Sequence, residues 1–157
     1  MRKQRFIRLL ILGLLSAIGP FSIDMYLPGF PDIAKDLHTN ISNVSLTLSG
    51  FFIGIAAGQL LYGPLLDKYG RKKPMCIGII LYILASFGCM FATSIEMLIA
   101  LRFLQAIGGC VGMVGSRAVV RDLFDVTENA KIFSLLMLVV GISPIIAPTV
   151  GSYLSAA

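Results

Sequence analysis

The chain has 157 residues, of which 57% are apolar and 13% charged, with a net charge of +5 and a mean hydropathy of +0.88. A water-soluble domain carries about twice that share of charge, so an ordinary soluble enzyme is excluded. The basic excess does not indicate nucleic acid, because the lysines and arginines cluster between long apolar runs.

The N-terminal arm carries Arg2, Lys3, Arg5 and Arg8, and an apolar run extends from Phe6 to about Tyr26. A secretory signal begins in the same way. This run, however, continues past Gly19-Pro20 without a clear small-residue cleavage site, to the length of about 20 residues that crosses a bilayer core. It is read as helix one, over about 6–26, bent at Gly19-Pro20. Leu27-Pro28-Gly29-Phe30-Pro31 breaks it. A polar outer loop is expected from Asp32 to about Ser42, with room for a short helix.

Helix two is expected over about 44–66. Its small residues Gly50, Gly54, Ala57 and Gly58 recur at the three- and four-residue intervals that close packing in lipid requires. The stretch Gly63-Pro-Leu-Leu-Asp67-Lys-Tyr-Gly70-Arg71-Lys72-Lys73 ends it in a charged turn. Gly70 can adopt the positive φ of a tight reversal, and Arg71 can offer a planar fork to a carboxylate. A generic basic loop accounts for Lys72 and Lys73, but less well for the ordered acid, glycine and arginine. Helix three is expected over about 74–93, followed by a minimal turn at Ser94-Ile95-Glu96. Helix four is expected over about 97–120, a polar loop from Arg121 to about Asn129, and helix five over about 132–154.

Eleven lysines and arginines fall on one side of these five crossings, leaving Lys35 on the other and Arg102 inside a span. The positive-inside rule then gives a cytoplasmic N-terminus. Cys76, Cys89 and Cys110 lie in apolar spans and read as packing residues. One histidine, His38, makes no metal cluster, and no nucleophile–base pair or phosphate-binding loop is present. No metal site, cofactor or catalytic residue is expected.

Ionisable groups at membrane depth are functional candidates by default. Asp24, in Ser22-Ile-Asp24-Met-Tyr-Leu-Pro28, is either a proton-exchanging carboxyl or a solvated cap of the turn before Pro28. Arg102 is either a buried guanidinium with a polar network, Gln105 among its partners, or a side chain snorkelling to the outer interface. Gly141, Pro144, Pro148 and Gly151 make helix five either a hinge or an ordinary proline-bent span.

The 63–73 stretch matches every defined position of G-x-L-x-D-x-x-G-R-[RK]-x, and so resembles the loop between helices two and three of the major facilitator superfamily. Arg102-Phe-Leu-Gln105-Ala106 resembles the family's R-x-x-Q-G motif, with alanine in place of its glycine. The helix-five residues resemble part of its antiporter motif, with Ala147 and Ser152 replacing two glycines. The Asp24 segment resembles helix one of the Bcr/CflA branch of drug-resistance transporters.

The resemblance implies an all-α polytopic membrane bundle. Its five transmembrane helices belong to the N-terminal half of a twelve-helix fold, with the sixth helix and C-terminal domain lying beyond residues 1–157. It implies proton-coupled efflux of drugs or other small lipophilic or cationic compounds across the bacterial cytoplasmic membrane. The lipid bilayer, protons and a drug-like substrate are the implied partners, the proton gradient is the energy source, and the absent half is required for transport. Asp24, Arg102 and Gln105 would serve proton coupling and substrate. Gly63, Asp67, Gly70, Arg71, Lys72 and Asp122 would form a conformational switch, with Arg71 paired to Asp67 and Asp122. Gly141, Pro144, Pro148 and Gly151 would form a leak-limiting hinge. Two other readings remain open. One is a truncated, non-transporting membrane remnant, and the other is a major facilitator transporter for a metabolite.

Overall fold

The computed structural model describes residues 2–155. Helix α1 spans Arg2–Asp24 and is followed by a 3-10 turn at Leu27–Gly29 and a short helix α2 at Phe30–Asp36. Four long helices complete the described chain: α3 (Ile41–Tyr69), α4 (Lys72–Met90), α5 (Ile95–Leu123) and α6 (Val126–Ser155). Five of the helical segments are long and apolar enough to cross a membrane. No strand occurs among the described residues.

The helices outrun the apolar stretches that mark them. At about 1.5 Å per residue, the 29 residues of α3 or α5 rise about 44 Å, against a hydrocarbon core of about 30 Å. Their ends therefore extend into the polar interface, where the helix still satisfies its own backbone. This corrects one expectation. The polar loop foreseen from Arg121 to Asn129 is reduced to Phe124 and Asp125, because α5 continues to Leu123 and α6 starts at Val126. The short helix for which the outer loop over 32–42 has room is α2, which ends at Asp36. The helix continues through Pro20 in α1, Pro64 in α3, and Pro144 and Pro148 in α6.

Two chain reversals have identifiable local causes. Ser94 caps α5 by accepting a hydrogen bond from the Met97 amide at 3.2 Å. Gly70 joins α3 to α4 at φ 77° and ψ 168°, a region open essentially to glycine alone. A Cβ there would meet nothing within 4 Å, so the backbone angle, and not space, requires glycine.

Helix α5 is the hub of the bundle: α3, α4 and α1 all pack on it, while α6 packs chiefly on α1. Half of its spanning window is buried, against 17–28% in the other spans. Small residues allow that approach. A Cβ on Gly108 would lie 2.5 Å from the Tyr82 amide nitrogen of α4. One on Gly54 would lie 2.6 Å from the Phe103 carbonyl oxygen and 2.7 Å from Ala106 Cβ. Ala106, fully buried where the resembled motif has glycine, therefore fits against a glycine on the facing helix. In lipid, where tails are as apolar as leucine, such close backbone contact supplies much of helix association.

Candidate functional site

Arg102 lies near the Ser94 end of α5 and is only 4% exposed. A guanidinium keeps its charge at any accessible pH, so burial requires acceptors. Its Nη1 donates to Gln105 Oε1 at 2.7 Å and its Nη2 to the Ser22 carbonyl oxygen at 3.0 Å. Ser22 O is available because α1 ends there: the Met25 and Tyr26 amides bond Phe21 O and Ile23 O instead. Arg102 thus covers an orphan carbonyl at the negative end of the α1 dipole. Its guanidinium also lies between two aromatic faces, 4.1 Å from the Tyr26 ring centroid and 4.4 Å from that of Phe51. Nε is buried without a partner.

The remaining bonds fix the polarity of the network. Gln105 Oε1 accepts from arginine, so its Nε2 donates, to Ser86 Oγ at 2.7 Å, and Ser86 donates to the Tyr82 carbonyl oxygen. Ser22 Oγ commits its proton to Ile18 O, so the Tyr82 hydroxyl donates to Ser22 Oγ at 2.7 Å. Thr47 Oγ1 donates to Val44 O and therefore accepts from the Tyr26 hydroxyl at 2.9 Å. Four long helices are joined around one unbalanced positive charge.

This network lines an open cleft of about 470 Å³ between α1, α4 and α5, walled by Leu14, Ile18, Phe21 and Met25. On its other side, beneath α2, Tyr26, Arg102 and Gln105 also line a cleft of about 320 Å³. Asp24 lines neither. It is the half-buried last residue of α1, and its side chain makes no hydrogen bond or ion pair with another described residue. The structure thus brings Arg102 and Gln105 together and leaves Asp24 outside their network. Ser22, Tyr26, Phe51, Tyr82 and Ser86 belong to it. Ser22 and Tyr26 fall in the segment around Asp24 that carries the resemblance, whereas Phe51, Tyr82 and Ser86 are ordinary residues of apolar spans with no distinctive signal in the sequence.

At the opposite end of α5, Arg71 sits between two carboxylates. Nη1 donates to Asp67 Oδ1 at 2.7 Å, and Nε and Nη2 meet Asp122 at 2.8 and 3.5 Å. The ends of α3 and α5 are thereby clasped by the first residue after the Gly70 turn. The hydrogen bonds to Asp122, and next those to Asp67, push the Arg71 pKa above its ordinary value. Such a group gives its stabilisation below its unfolded pKa and loses it only above, so Arg71 stays charged over any working pH. Lys72 is the exposed first residue of α4, and a Cβ on Gly63 would meet nothing within 4 Å.

On α6, Gly141 and Pro144 are exposed and Pro148 is half-buried. Gly151 makes the close approach, with the Met25 carbonyl oxygen 2.5 Å from where a Cβ would stand. The buried stripe is Ser143, Ala147 and Gly151, at four-residue spacing. Ala147, which replaces one of the motif's glycines, is therefore a fully buried packing position.

The profile of the Major Facilitator Superfamily matches residues 12–157. The chain is 46% identical over 149 residues to the uncharacterized MFS-type transporter YdgK of Bacillus subtilis, covering 95% of this chain and 37% of that protein. It is 40% identical over 153 residues to a bicyclomycin resistance protein homolog of Haemophilus influenzae, covering 98% and 38%. It is 33% identical over 155 residues to multidrug resistance protein D of Escherichia coli, covering 98% and 39%. The chain spans less than two-fifths of the length of these curated relatives. The bundle of membrane-spanning helices and the matched profile agree, and the chain belongs to the major facilitator superfamily, a family of transporters and not of enzymes.

Proposed function

We propose that this chain forms the N-terminal part of a proton-coupled exporter of drug-like compounds in the bacterial cytoplasmic membrane, with its N-terminus in the cytoplasm. The observation that carries the reading is the buried Arg102 network opening on the 470 Å³ cleft. A charged guanidinium is costly to hold within a membrane, and a group kept there at that cost is a functional candidate. Relatives named for bicyclomycin and multidrug resistance support a drug-like substrate. The cleft walls are apolar and its charged group is a cation, with no carboxylate in the lining. That favours, within the lipophilic class, compounds bearing hydrogen-bond acceptors over cations.

In this reading transport needs the helices that the longer relatives possess beyond the matched part. Asp24 exchanges protons at the end of α1, Arg102 and Gln105 hold the cleft, and the Arg71 clasp opens and closes as the two halves rock. The α6 stretch Gly141–Gly151 serves as the hinge that limits leak.

The test is efflux driven by an imposed pH gradient, in vesicles carrying a full-length transporter that contains this segment. Arg102→Gln is expected to abolish gradient-driven efflux with the protein still inserted, and Asp24→Asn to uncouple efflux from the gradient. Unchanged gradient-driven efflux in both variants refutes the assignment.

A further inference from the structure

Tyr82, on α4, lines the 470 Å³ cleft beside Ser22 and Arg102. The polarity of its hydroxyl is fixed by its neighbour. A serine hydroxyl has a single proton, and that of Ser22 goes to the Ile18 carbonyl oxygen at 2.7 Å. The Tyr82 proton therefore points at Ser22 Oγ, also at 2.7 Å. A phenolic oxygen whose proton is committed can only accept. No other hydrogen bond among the described residues reaches that oxygen. The residue itself is held in place. A Cβ on Gly108 would stand 2.5 Å from the Tyr82 amide nitrogen, and one on Gly109 would stand 3.1 Å from its ring Cδ2. Helix α5 thus lies against both the backbone and the ring. Arg102 supplies the opposite polarity. Its Nη1 and Nη2 each make one bond, to Gln105 and to Ser22, and each nitrogen carries a second N–H. Arg102 Nη2 and the Tyr82 hydroxyl both end on Ser22, one at its carbonyl oxygen and the other at its Oγ. A cationic donor and a neutral acceptor therefore stand side by side on the cleft wall.

We infer that Tyr82 is a specificity-determining residue of the cleft, whose oxygen accepts a hydrogen bond from the ligand while Arg102 donates one. The ligand class this selects is a neutral compound with an N–H beside a carbonyl, such as a primary carboxamide on an apolar body. The inference rests on the reading of the cleft as the substrate site. A ligand that only accepts satisfies Arg102 and leaves the Tyr82 oxygen unpaired and cut off from water, which costs affinity. A cationic ligand can donate to Tyr82 but meets the Arg102 charge at the same place. The apolar body lies along Leu14, Ile18 and Phe21.

The test takes the full chain in lipid nanodiscs and titrates it with hexanamide and with methyl pentyl ketone. The ketone has the same shape, with a methyl group where the amide has its NH2. Binding is read by saturation-transfer NMR, with partition into empty nanodiscs subtracted. The native chain is expected to bind the amide about two- to tenfold more tightly than the ketone, the worth of one net hydrogen bond. Tyr82→Phe is expected to bind the two alike. Ser22→Ala keeps the carbonyl that Arg102 uses and releases the Tyr82 proton, so the hydroxyl can donate. Its amide-to-ketone ratio is expected to fall through a gain in ketone binding, whereas a purely structural Tyr82 would move both probes together. A ratio unchanged from the native value in either folded variant overturns the inference. Equal binding of both probes by the native chain overturns it too, and leaves the cleft as a ligand site. Saturable binding of neither probe overturns both readings. If Tyr82→Phe loses helicity by far-UV circular dichroism, Ser22→Ala decides by the same criterion.

Discussion

Replacing Arg102 with lysine keeps the charge and removes the shape. Arg102 reaches two acceptors in different directions, Gln105 Oε1 at 2.7 Å and Ser22 O at 3.0 Å, while its plane lies on Tyr26 and Phe51. A lysine ammonium is a point donor and retains one of these two directions. The lost charge-assisted bond is worth about 1.5–3 kcal/mol in water-soluble proteins, and within membranes such bonds average lower, about 0.6 kcal/mol. Loss of stacking on two rings adds about 1–2 kcal/mol at a desolvated site. Arg102→Lys is therefore expected to destabilise the bundle by about 2–4 kcal/mol. The assay is unfolding of the chain in mixed micelles with rising dodecyl sulfate, followed by circular dichroism at fixed protein concentration. A variant within about 0.5 kcal/mol of the native chain, smaller than a single membrane hydrogen bond, would refute the two-acceptor clamp.

Three further outcomes follow from the packing. Gly54→Ala places a Cβ 2.6 Å from the backbone oxygen of Phe103 and is expected to cost about 2–3 kcal/mol by overpacking. Adding Ala106→Gly should recover only part of this, since the backbone clash remains, whereas Gly63→Ala, with open space around it, should change stability by less than about 0.5 kcal/mol. Gly70→Ala keeps the same empty surroundings but must adopt φ 77° and ψ 168°. It should cost about 1–3 kcal/mol in the same unfolding assay, and a loss no larger than that of Gly63→Ala would show that the turn relaxes freely. Asp122→Asn removes an exposed ion pair to Arg71. Its effect should stay under about 1 kcal/mol and shrink as salt rises, and a large, salt-independent loss would mean that the clasp is shielded from water.

The number of crossings was legible from the succession of apolar runs alone. In a bilayer every backbone group must be satisfied within the segment, so an apolar run of spanning length has one available structure. Helix ends were not legible in the same way. Hydropathy marks where lipid begins, and α5 and α6 continue past it until only Phe124 and Asp125 separate them. The glycine at position 70 followed from the need for a reversal between two charged ends, and the structure gives it the backbone angle that only glycine readily adopts.

The sequence by itself determined that five helices cross a membrane, where they turn, and that Arg71, Arg102 and the acids near them are costly enough to need partners. Only the tertiary structure decided which partners those are. Arg102 joins Ser22 across 80 positions of chain and Arg71 joins Asp122 across 51, while Asp24, two residues from Ser22, joins neither. The reason is geometric. Local sequence sets which face of a helix is polar, but the acceptor a buried cation finds depends on how closely neighbouring helices approach, and that distance is set by glycines and alanines on the facing helices.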